Sequence, residues 1–306
     1  MKPKVVVIAG PTASGKTALS IELAKRINGE IVSADSMQIY KDMNIGTAKP
    51  TIDEMDGIKH YMIDCISPEV RYSVSQYKKD AQKAINEIIK KGKTPIVVGG
   101  TGLYIDSLIY GIEFQEIEID MNYRNKLNEM AENGKLDELY EMACKIDEDA
   151  MKTISRNDKK RIIRVLEIYK QTGKTKTQQN IESRQNEVPY EYIVFAINMD
   201  REKLYERINK RVDIMIEKGL IDEVKTLLHK YNNIQTAMQG LGYKEVVKYF
   251  NNEMTKQEMI DKIKMESRRY AKRQLTWFRK NKEIIWIDGF ASQHDNLDKI
   301  INLLQN

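Results

Sequence analysis

The strongest constraint on this chain lies near its start. Gly10-Pro11-Thr12-Ala13-Ser14-Gly15-Lys16-Thr17 satisfies G-x-x-x-x-G-K-[ST] at every fixed position. Val5-Val6-Val7-Ile8-Ala9 precedes it as a short β-branched run of the kind found in buried parallel strands. Leu19, Leu23, Ala24 and Ile27 follow on one helical face, which stops near Asn28-Gly29. Glycines let backbone amides turn toward an anion, and the helix starting near Lys16 adds its N-terminal N–H groups and dipole. Lys16 supplies a full charge for phosphate oxygens, and the Thr17 hydroxyl is a Mg²⁺ ligand in this motif. The loop specifies a pyrophosphate or triphosphate group, not the molecule that carries it.

The rest of the first hundred residues alternates strand and helix signals. Ile31–Ala34 predicts a second strand. Ser73 to Lys91 predicts a helix, opened by a Ser73/Gln76 capping box and ended by Gly92, with Tyr77, Ala81, Ala84, Ile85 and Ile88 on one stripe. Pro95–Val98 predicts a third strand. Such alternation argues for an α/β fold with a parallel sheet. From Glu113 to Pro189 strand signals thin out and amphipathic helical spacing dominates, as in Leu136, Leu139, Tyr140 and Ala143. This predicts a mainly helical domain, residues 115–189, inserted into a core of residues 1–114 and 190–306. In the second part of the core, Ile193–Ile197 and Ile284–Ile287 predict strands. Arg201–Glu217, Ile221–Tyr231 and Lys256–Arg279 predict long helices.

Composition narrows the class. The 306 residues are 41% apolar and 31% charged, with 16 glycines and 6 prolines, which excludes a low-complexity or collagen-like chain. No apolar run approaches the roughly 18 residues of a membrane span. The run Val5–Ala9 is too short for a signal peptide, so the expectation is a soluble cytoplasmic protein. Cys65 and Cys144 lack metal-ligand spacing and are expected to be buried or neutral reduced thiols. None of the three histidines, His60, His229 and His294, draws a catalytic role. A net charge of +5 permits a nucleic-acid partner without arguing for one.

Two further segments join the phosphate loop. Asp35 ends the second strand in Asp35-Ser36-Met37-Gln38-Ile39-Tyr40. Ligands of a doubly wound sheet bind outside the carboxyl ends of strands, which puts Asp35 in the crevice of the loop. A carboxylate there binds Mg²⁺ through water, acts as a general base, or caps the following turn. The next strand ends in Gly99-Gly100-Thr101-Gly102-Leu103-Tyr104. These glycines fit close backbone approach to a ligand, with Thr101 donating to a phosphate oxygen, or a turn with no ligand.

Several segments in order carry a resemblance: the phosphate loop, D-S-M-Q-I-Y, Gly46-Thr47-Ala48-Lys49-Pro50, G-G-T-G-L-Y, Asn157-Asp158 with Arg161 and Arg164–Glu167, Gly242-Tyr243-Lys244-Glu245, and Arg269–Arg279. Together, over essentially the whole chain, they resemble the bacterial tRNA dimethylallyltransferases, also called tRNA isopentenyltransferases. The resemblance implies a P-loop, nucleoside-triphosphate-hydrolase-like core. It implies transfer of the dimethylallyl group of dimethylallyl diphosphate to the exocyclic amine of the adenosine at tRNA position 37. Gly10, Pro11, Thr12, Ala13, Ser14, Gly15, Lys16 and Thr17 would then hold the diphosphate with Mg²⁺ at Thr17, and Asp35 would be the general base. Thr101 and Arg207 match family positions near the diphosphate. Arg211 lies one turn beyond Arg207 and could assist. Ser36, Met37 and Gln38 match the segment facing the target base. Gly242, Tyr243, Lys244 and Arg124 match tRNA-facing positions. Lys160 departs from the family's usual glutamine.

Two cation clusters bear on the RNA. Lys159, Lys160, Arg161 and Arg164 form one, and Arg268, Arg269, Lys272, Arg273, Arg279 and Lys280 form another. Each is either a phosphate-binding surface for the tRNA anticodon stem-loop or a solvated helix face. A metabolite kinase would share Lys16, Thr17 and Asp35 but leave the G-G-T-G-L-Y loop unexplained. An adenylate isopentenyltransferase acting on a free nucleotide would share the loop and Asp35. A non-catalytic RNA-binding regulator would not need Lys16, Thr17, Asp35 and Thr101 intact. A monomer is expected.

Overall fold

The computed structural model describes residues 2–114, 120–184 and 187–305. It divides into two compact units, one of Met1–Ile109 with Pro189–Asn306 and one of Tyr110–Val188. The predicted start of the inserted domain, residue 115, lies outside the described residues.

The first unit is built on a six-stranded, all-parallel sheet in the order β3-β2-β4-β1-β5-β6. Its strands are β1 (Lys4–Ala9), β2 (Gly29–Ala34), β3 (His60–Tyr61), β4 (Thr94–Gly99), β5 (Glu191–Asn198) and β6 (Ile285–Asp288). In chain order its helices are α1 (Lys16–Arg26), α2 (Ile52–Met55), α3 (Val74–Lys90) and α4 (Gly102–Ile109). The second unit contributes α5 (Met121–Glu132), α6 (Leu136–Ile146), α7 (Glu148–Met151), α8 (Lys159–Thr172) and α9 (Lys176–Glu182). The first unit then resumes with α10 (Arg201–Glu217), α11 (Leu220–Lys230), α12 (Tyr243–Phe250), α13 (Lys256–Phe278) and α14 (Gln293–Gln305).

Helices cover both faces of the sheet, which is why β1 reads as an unbroken apolar run. Val5, Val7 and Ala9 face a core that includes Tyr77, Ala81 and Ile85 of α3. Val6 and Ile8 face the opposite core, with Leu19 and Leu23 of α1 and Leu297 and Ile300 of α14. The second unit has its own core around Leu127, Leu139, Ala143, Ile162 and Leu166. Among the described residues, no helix is long and apolar enough to cross a membrane.

Five elements of the first unit were not predicted, among them α4 and α12, which follow glycines too closely for a helical period to stand out. Two-residue β3 is too short to show a period, and it moves the strand ending at Gly99 from third to fourth place. Short α2 and the C-terminal α14 also escaped. Both cysteines are free thiols, Cys65 exposed and Cys144 half-buried, and partial desolvation pushes the Cys65 pKa up. Cys65 sits in an irregular connection where Met62 and Asp64 adopt positive φ, so no regular element covers it. His60 is occupied structurally, its Nδ1 lying 2.8 Å from the Ile58 carbonyl.

The sheet brings the functional loops together at its carboxyl edge. Gly99 is required there, because a β-carbon would overlap the carbonyl of Ala34 on the neighbouring strand. Beyond it, the Thr101 N–H donates to that same carbonyl at 3.2 Å. Gly99→Ala should therefore part β2 from β4 and destabilise the protein by about 2–3 kcal/mol, as overpacking does. Urea denaturation checks this, and an unchanged midpoint would mean the strands separate without cost.

Candidate active site

A cavity of about 340 Å³ opens at the carboxyl ends of the strands, lined from several distant segments. The phosphate loop contributes Thr12, Lys16 and Thr17. Gly15, at φ 92°, caps α1 in the left-handed region, and Ala13 takes φ 63° before it. Lys16 Nζ donates to the Pro11 carbonyl at 2.6 Å. The residue as a whole is half-buried, but its ammonium is withdrawn from solvent. Desolvation pushes its pKa down to about 7, the nearby Arg211 guanidinium pushes the same way, and Asp35 opposes both. The Thr12 N–H does not point at open space, for it donates to Gln274 Oε1 at 2.9 Å.

Asp35 follows β2 directly and lines the cavity. Its Oδ1 accepts from the backbone N–H of Met37 at 2.8 Å and of Gln38 at 3.2 Å. Turn cap and site residue are thus one and the same group, with both capping bonds on a single oxygen. Ser36, Met37 and Gln38 continue the wall. Gln38 Nε2 donates to the carbonyls of Thr47 and Ala48, both at 3.2 Å. Gly46, Thr47 and Ala48 line the cavity as well, so the G-T-A-K-P segment belongs to the site. Lys49 anchors it from behind, donating to the Tyr40 carbonyl at 2.7 Å and pairing with Asp64 at 2.6 Å.

Of the three arginines of α10, Arg201, Arg207 and Arg211, only Arg211 lines the cavity. It is half-buried, desolvation lowers its pKa against the pull of Asp35, and it donates to the Thr47 carbonyl at 3.4 Å. Arg207 is exposed. It lies near the phosphate loop at Gly15, and its Nη1 is 3.8 Å from Met199 Sδ. Thr101 also stands behind the wall. Its hydroxyl accepts from the Ser36 N–H at 3.2 Å, and Tyr270 lies close enough for Thr101 to lower its pKa against desolvation.

The remaining walls come from the C-terminal third. Gly242, Tyr243, Lys244 and Arg273 line the cavity. Tyr243 is buried and donates to Glu223 at 2.7 Å; burial first, then that carboxylate, push its pKa up. Lys244 is 3.5 Å from Glu245. Five residues that sequence reasoning did not single out are here. Gln274 bridges the Thr12 N–H and the Gly100 carbonyl, the latter at 2.9 Å. Tyr270 lies beside Thr101, with a pKa pushed up to about 12 chiefly by desolvation. Ile208, Val212 and Met215 line the cavity on the same face of α10 as Arg211. The i, i+3, i+4, i+7 spacing of 208, 211, 212 and 215 is legible, and an arginine embedded in an apolar stripe is the signal that marks it.

The two cation clusters differ. On α13, Arg268 donates to Asn209 Oδ1 at 2.6 Å and Arg269 pairs with Glu266 at 2.7 Å; just beyond it, Lys280 stands over the Trp277 ring. Lys272 and Arg279 are exposed. In the second unit most of the charge is matched locally. Lys159 pairs with Glu132 at 3.0 Å, Arg161 with Asp158 at 3.3 Å and Arg164 with Glu167 at 3.4 Å. Arg124 is held by the buried Glu167 in a two-pronged pair. Lys160 is exposed, and Lys176, which the sequence did not flag, is near enough to Arg161 and Arg164 for them to lower its pKa behind the larger effect of desolvation.

A family model described as IPP transferase matches residues 38–281. The tRNA dimethylallyltransferase of Acetivibrio thermocellus is 51% identical over 302 residues, covering 98% of this chain and 96% of its own. The solved full-length tRNA isopentenylpyrophosphate transferase of Bacillus halodurans is 42% identical with a TM-score of 0.74, over 99% of this chain and 96% of that one. The tRNA delta(2)-isopentenylpyrophosphate transferase of Staphylococcus epidermidis is 41% identical with a TM-score of 0.73, over 99% of both. A eukaryotic dimethylallyltransferase, described as acting on tRNA, is 29% identical with a TM-score of 0.76, over 99% of this chain and 79% of that one. A P-loop-like parallel sheet, a cationic loop facing a carboxylate and these full-length likenesses converge: the chain belongs to the tRNA dimethylallyltransferase, or IPP transferase, family.

Proposed function

We propose that this protein, a soluble cytoplasmic monomer, transfers the dimethylallyl group of dimethylallyl diphosphate to the exocyclic amine of adenosine 37 in the tRNA anticodon loop. The observation that carries the reading is the charge arrangement of one small cavity. Lys16 and Arg211, both desolvated, lie within electrostatic reach of each other and of a single carboxylate, Asp35. Two desolvated cations suit a diphosphate leaving group. A carboxylate beside them suits a base for the incoming amine.

In the reaction the carbon–oxygen bond of the allylic diphosphate breaks, and its electron pair leaves with the diphosphate. The adenine amine forms the new carbon–nitrogen bond. An adenine amine is a weak nucleophile because its lone pair is delocalised into the ring. Asp35 orients it by accepting an N–H hydrogen bond and takes its proton, using the oxygen its turn cap leaves open. Lys16 and Arg211 hold the developing charge on the diphosphate, and Thr12 and Thr17 stand beside it. Ser14 Oγ, buried in the loop without a hydrogen-bond partner, gains one from a diphosphate oxygen. Arg207 stands beside Gly15 of the loop, and Thr101 acts by holding Ser36 and the base-facing segment in place. Ile208, Val212 and Met215 give the hydrocarbon an apolar wall.

The donor set fits Mg²⁺. Among the described residues, no three histidine, cysteine or acidic side chains gather to cage a metal. The Thr17 hydroxyl and the Asp35 carboxylate line the cavity, which suits an ion that keeps waters and binds through substrate phosphates. When bound, Mg²⁺ supplies further positive charge to the leaving group.

The RNA is held outside the cavity. Lys244 and Arg273 at its wall, with Arg268, Arg269 and Lys272 on α13 and Arg279 and Lys280 just past its end, form the first unit's phosphate-binding surface. Gly242 and Tyr243 shape the wall beside Lys244. In the second unit Lys160, with Lys159, Arg161 and Arg164, offers a weaker one because acidic partners already sit on three of the four. Arg124, clamped by Glu167, supports that unit's core rather than RNA. A base in a single-stranded loop reaches the cavity at lower unstacking cost than one in a duplex.

Incubation with labelled dimethylallyl diphosphate, Mg²⁺ and either unmodified tRNA or AMP tests the reading. Label should appear in tRNA at adenosine 37. Label in AMP alone would assign the protein to free nucleotides instead. Asp35→Asn keeps both capping bonds through the amide oxygen but cannot take a proton. It should lower kcat by about 100-fold or more while leaving tRNA affinity near wild type, since general-base catalysis contributes roughly 10²–10⁴. A kcat within a few fold of wild type would remove Asp35 as the base.

Lys16 also gives the ligand a pH dependence. Its pKa stands near 7 in the free protein and rises when an anion binds beside it. Binding dimethylallyl diphosphate therefore takes up a proton above neutrality, and affinity falls as pH climbs past about 7, by up to about tenfold per unit. Calorimetry at about pH 8 in two buffers of different ionisation enthalpy should show uptake approaching one proton, and Lys16→Met should abolish it. Heats independent of buffer in the wild-type protein would contradict this.

A further inference from the structure

Glu223 stands outside the cavity, yet the shape of one wall runs through it. It lies in the first turn of α11, half-buried. Its two oxygens hold four donors. Oε2 accepts from the N–H of Asn44 at 2.9 Å and of Ile45 at 2.7 Å. Oε1 accepts from the N–H of Gly46 at 3.1 Å and from the Tyr243 hydroxyl at 2.7 Å. Consecutive amides converging in this way form the concavity that elsewhere binds a free anion. Here the chain supplies the anion itself. The ring of Tyr243 closes the arrangement, since a β-carbon on Gly46 would lie 2.5 Å from it.

The next two residues face the other way. The carbonyls of Thr47 and Ala48 both accept from Gln38 Nε2, and Thr47 also accepts from Arg211. Aiming the amides of 44–46 at Glu223 thus aims the carbonyls of 47–48 at Gln38. With Nε2 committed to two carbonyls, the group Gln38 has left to offer is Oε1, whose donor in the structure is Ser33 Oγ at a long 3.5 Å. An amide oxygen is an acceptor, and the adenine amine is a donor.

We infer that Glu223 is a positioning residue: through the 44–48 segment it fixes the side-chain amide of Gln38 with its acceptor toward the target base, and so governs the use of tRNA more than the use of the diphosphate. This rests on the reading of Gln38 as facing the adenosine.

The test is steady-state transfer kinetics with each substrate varied in turn, well below the thermal midpoint of every variant. Glu223→Gln keeps the shape of the side chain but turns an NH₂ toward backbone and phenol donors. It should lower kcat/KM for tRNA about tenfold and change the KM for dimethylallyl diphosphate less than about threefold, in keeping with lost bonds to a charged acceptor. In a Gln38→Ala background the same change should cost less than about threefold, because coupled residues are non-additive. A full tenfold loss that persists in that background overturns the inference. So does an equal loss for both substrates, or a lowered midpoint with unchanged kinetics. If Gln38→Ala alone leaves tRNA use untouched, the base-facing reading of Gln38 falls and the role of Glu223 falls with it. Should Glu223→Gln fail to fold, Tyr243→Phe removes one donor from the same carboxylate and carries the same comparison, with a smaller loss expected.

Discussion

Two positive charges drawn out of water within reach of each other govern this site. Withdrawing an ion from water costs several kcal/mol even after relaxation, so a protein rarely places two like charges together without a purpose. Lys16 and Arg211 both feel this, and each has its pKa lowered by desolvation before any other cause. Both also feel Asp35, which alone pulls toward the charged form in the case of Lys16. One carboxylate cannot balance two cations. While Lys16 is protonated the two cations exceed that carboxylate, which suits the anionic diphosphate of the proposed reaction. The sheet makes this possible, because β1, β2 and β4 deliver the phosphate loop, Asp35 and the glycine turn to one edge.

A site so charged holds its shape through bonds that cross the chain. Gln274 joins the Thr12 amide to the Gly100 carbonyl, partners 262 and 174 residues earlier in the chain. Thr101 ties the glycine turn to Ser36. Glu223 ties the 44–46 amides to α11 and Tyr243. Each of these polar groups is satisfied by a partner far away in sequence, which is how irregular backbone becomes rigid without a regular element. The loop also gives up an amide in the process. Thr12 offers its N–H to Gln274 rather than to a phosphate, so the cradle relies more on Lys16 and Arg211 than a bare loop of the same sequence would.

These facts decide what the sequence could reveal. The phosphate loop, the core strands, the long helices α3, α10, α11 and α13 and the membership of Asp35 in the crevice were all legible, because local pattern sets them. Periods of two and 3.6, a capping box at Ser73 and fixed glycine spacing need no knowledge of distant partners. The gaps have physical causes. β3 is too short for a period, and the contributions of Glu223, Gln274 and Tyr270 arise only from partners brought near by folding. The cation cluster on α8 looked open in sequence, but Glu132, Asp158 and Glu167 neutralise much of it, and Glu132 comes from a different helix. Arg207 and Arg211 looked alike in a list of charges. Their separation came from the apolar stripe of α10, which carries Arg211 into the cavity and leaves Arg207 on the rim.

The double duty of Asp35 ties these threads together. A carboxylate free to rotate would spend part of its time swung toward Lys16 and Arg211, pairing with the cations that should hold the leaving group. Two backbone N–H bonds to Oδ1 prevent this by fixing the side chain to the turn of Met37 and Gln38. The same turn begins the base-facing wall, so the oxygen that would take the proton and the residues that would hold the base share one rigid frame. Capping and catalysis are therefore not competing explanations of Asp35. The cap sets the direction of the remaining oxygen, and misplacing such a group by an ångström costs about 100-fold in rate. A turn that looks merely structural is the means by which the proposed base is aimed.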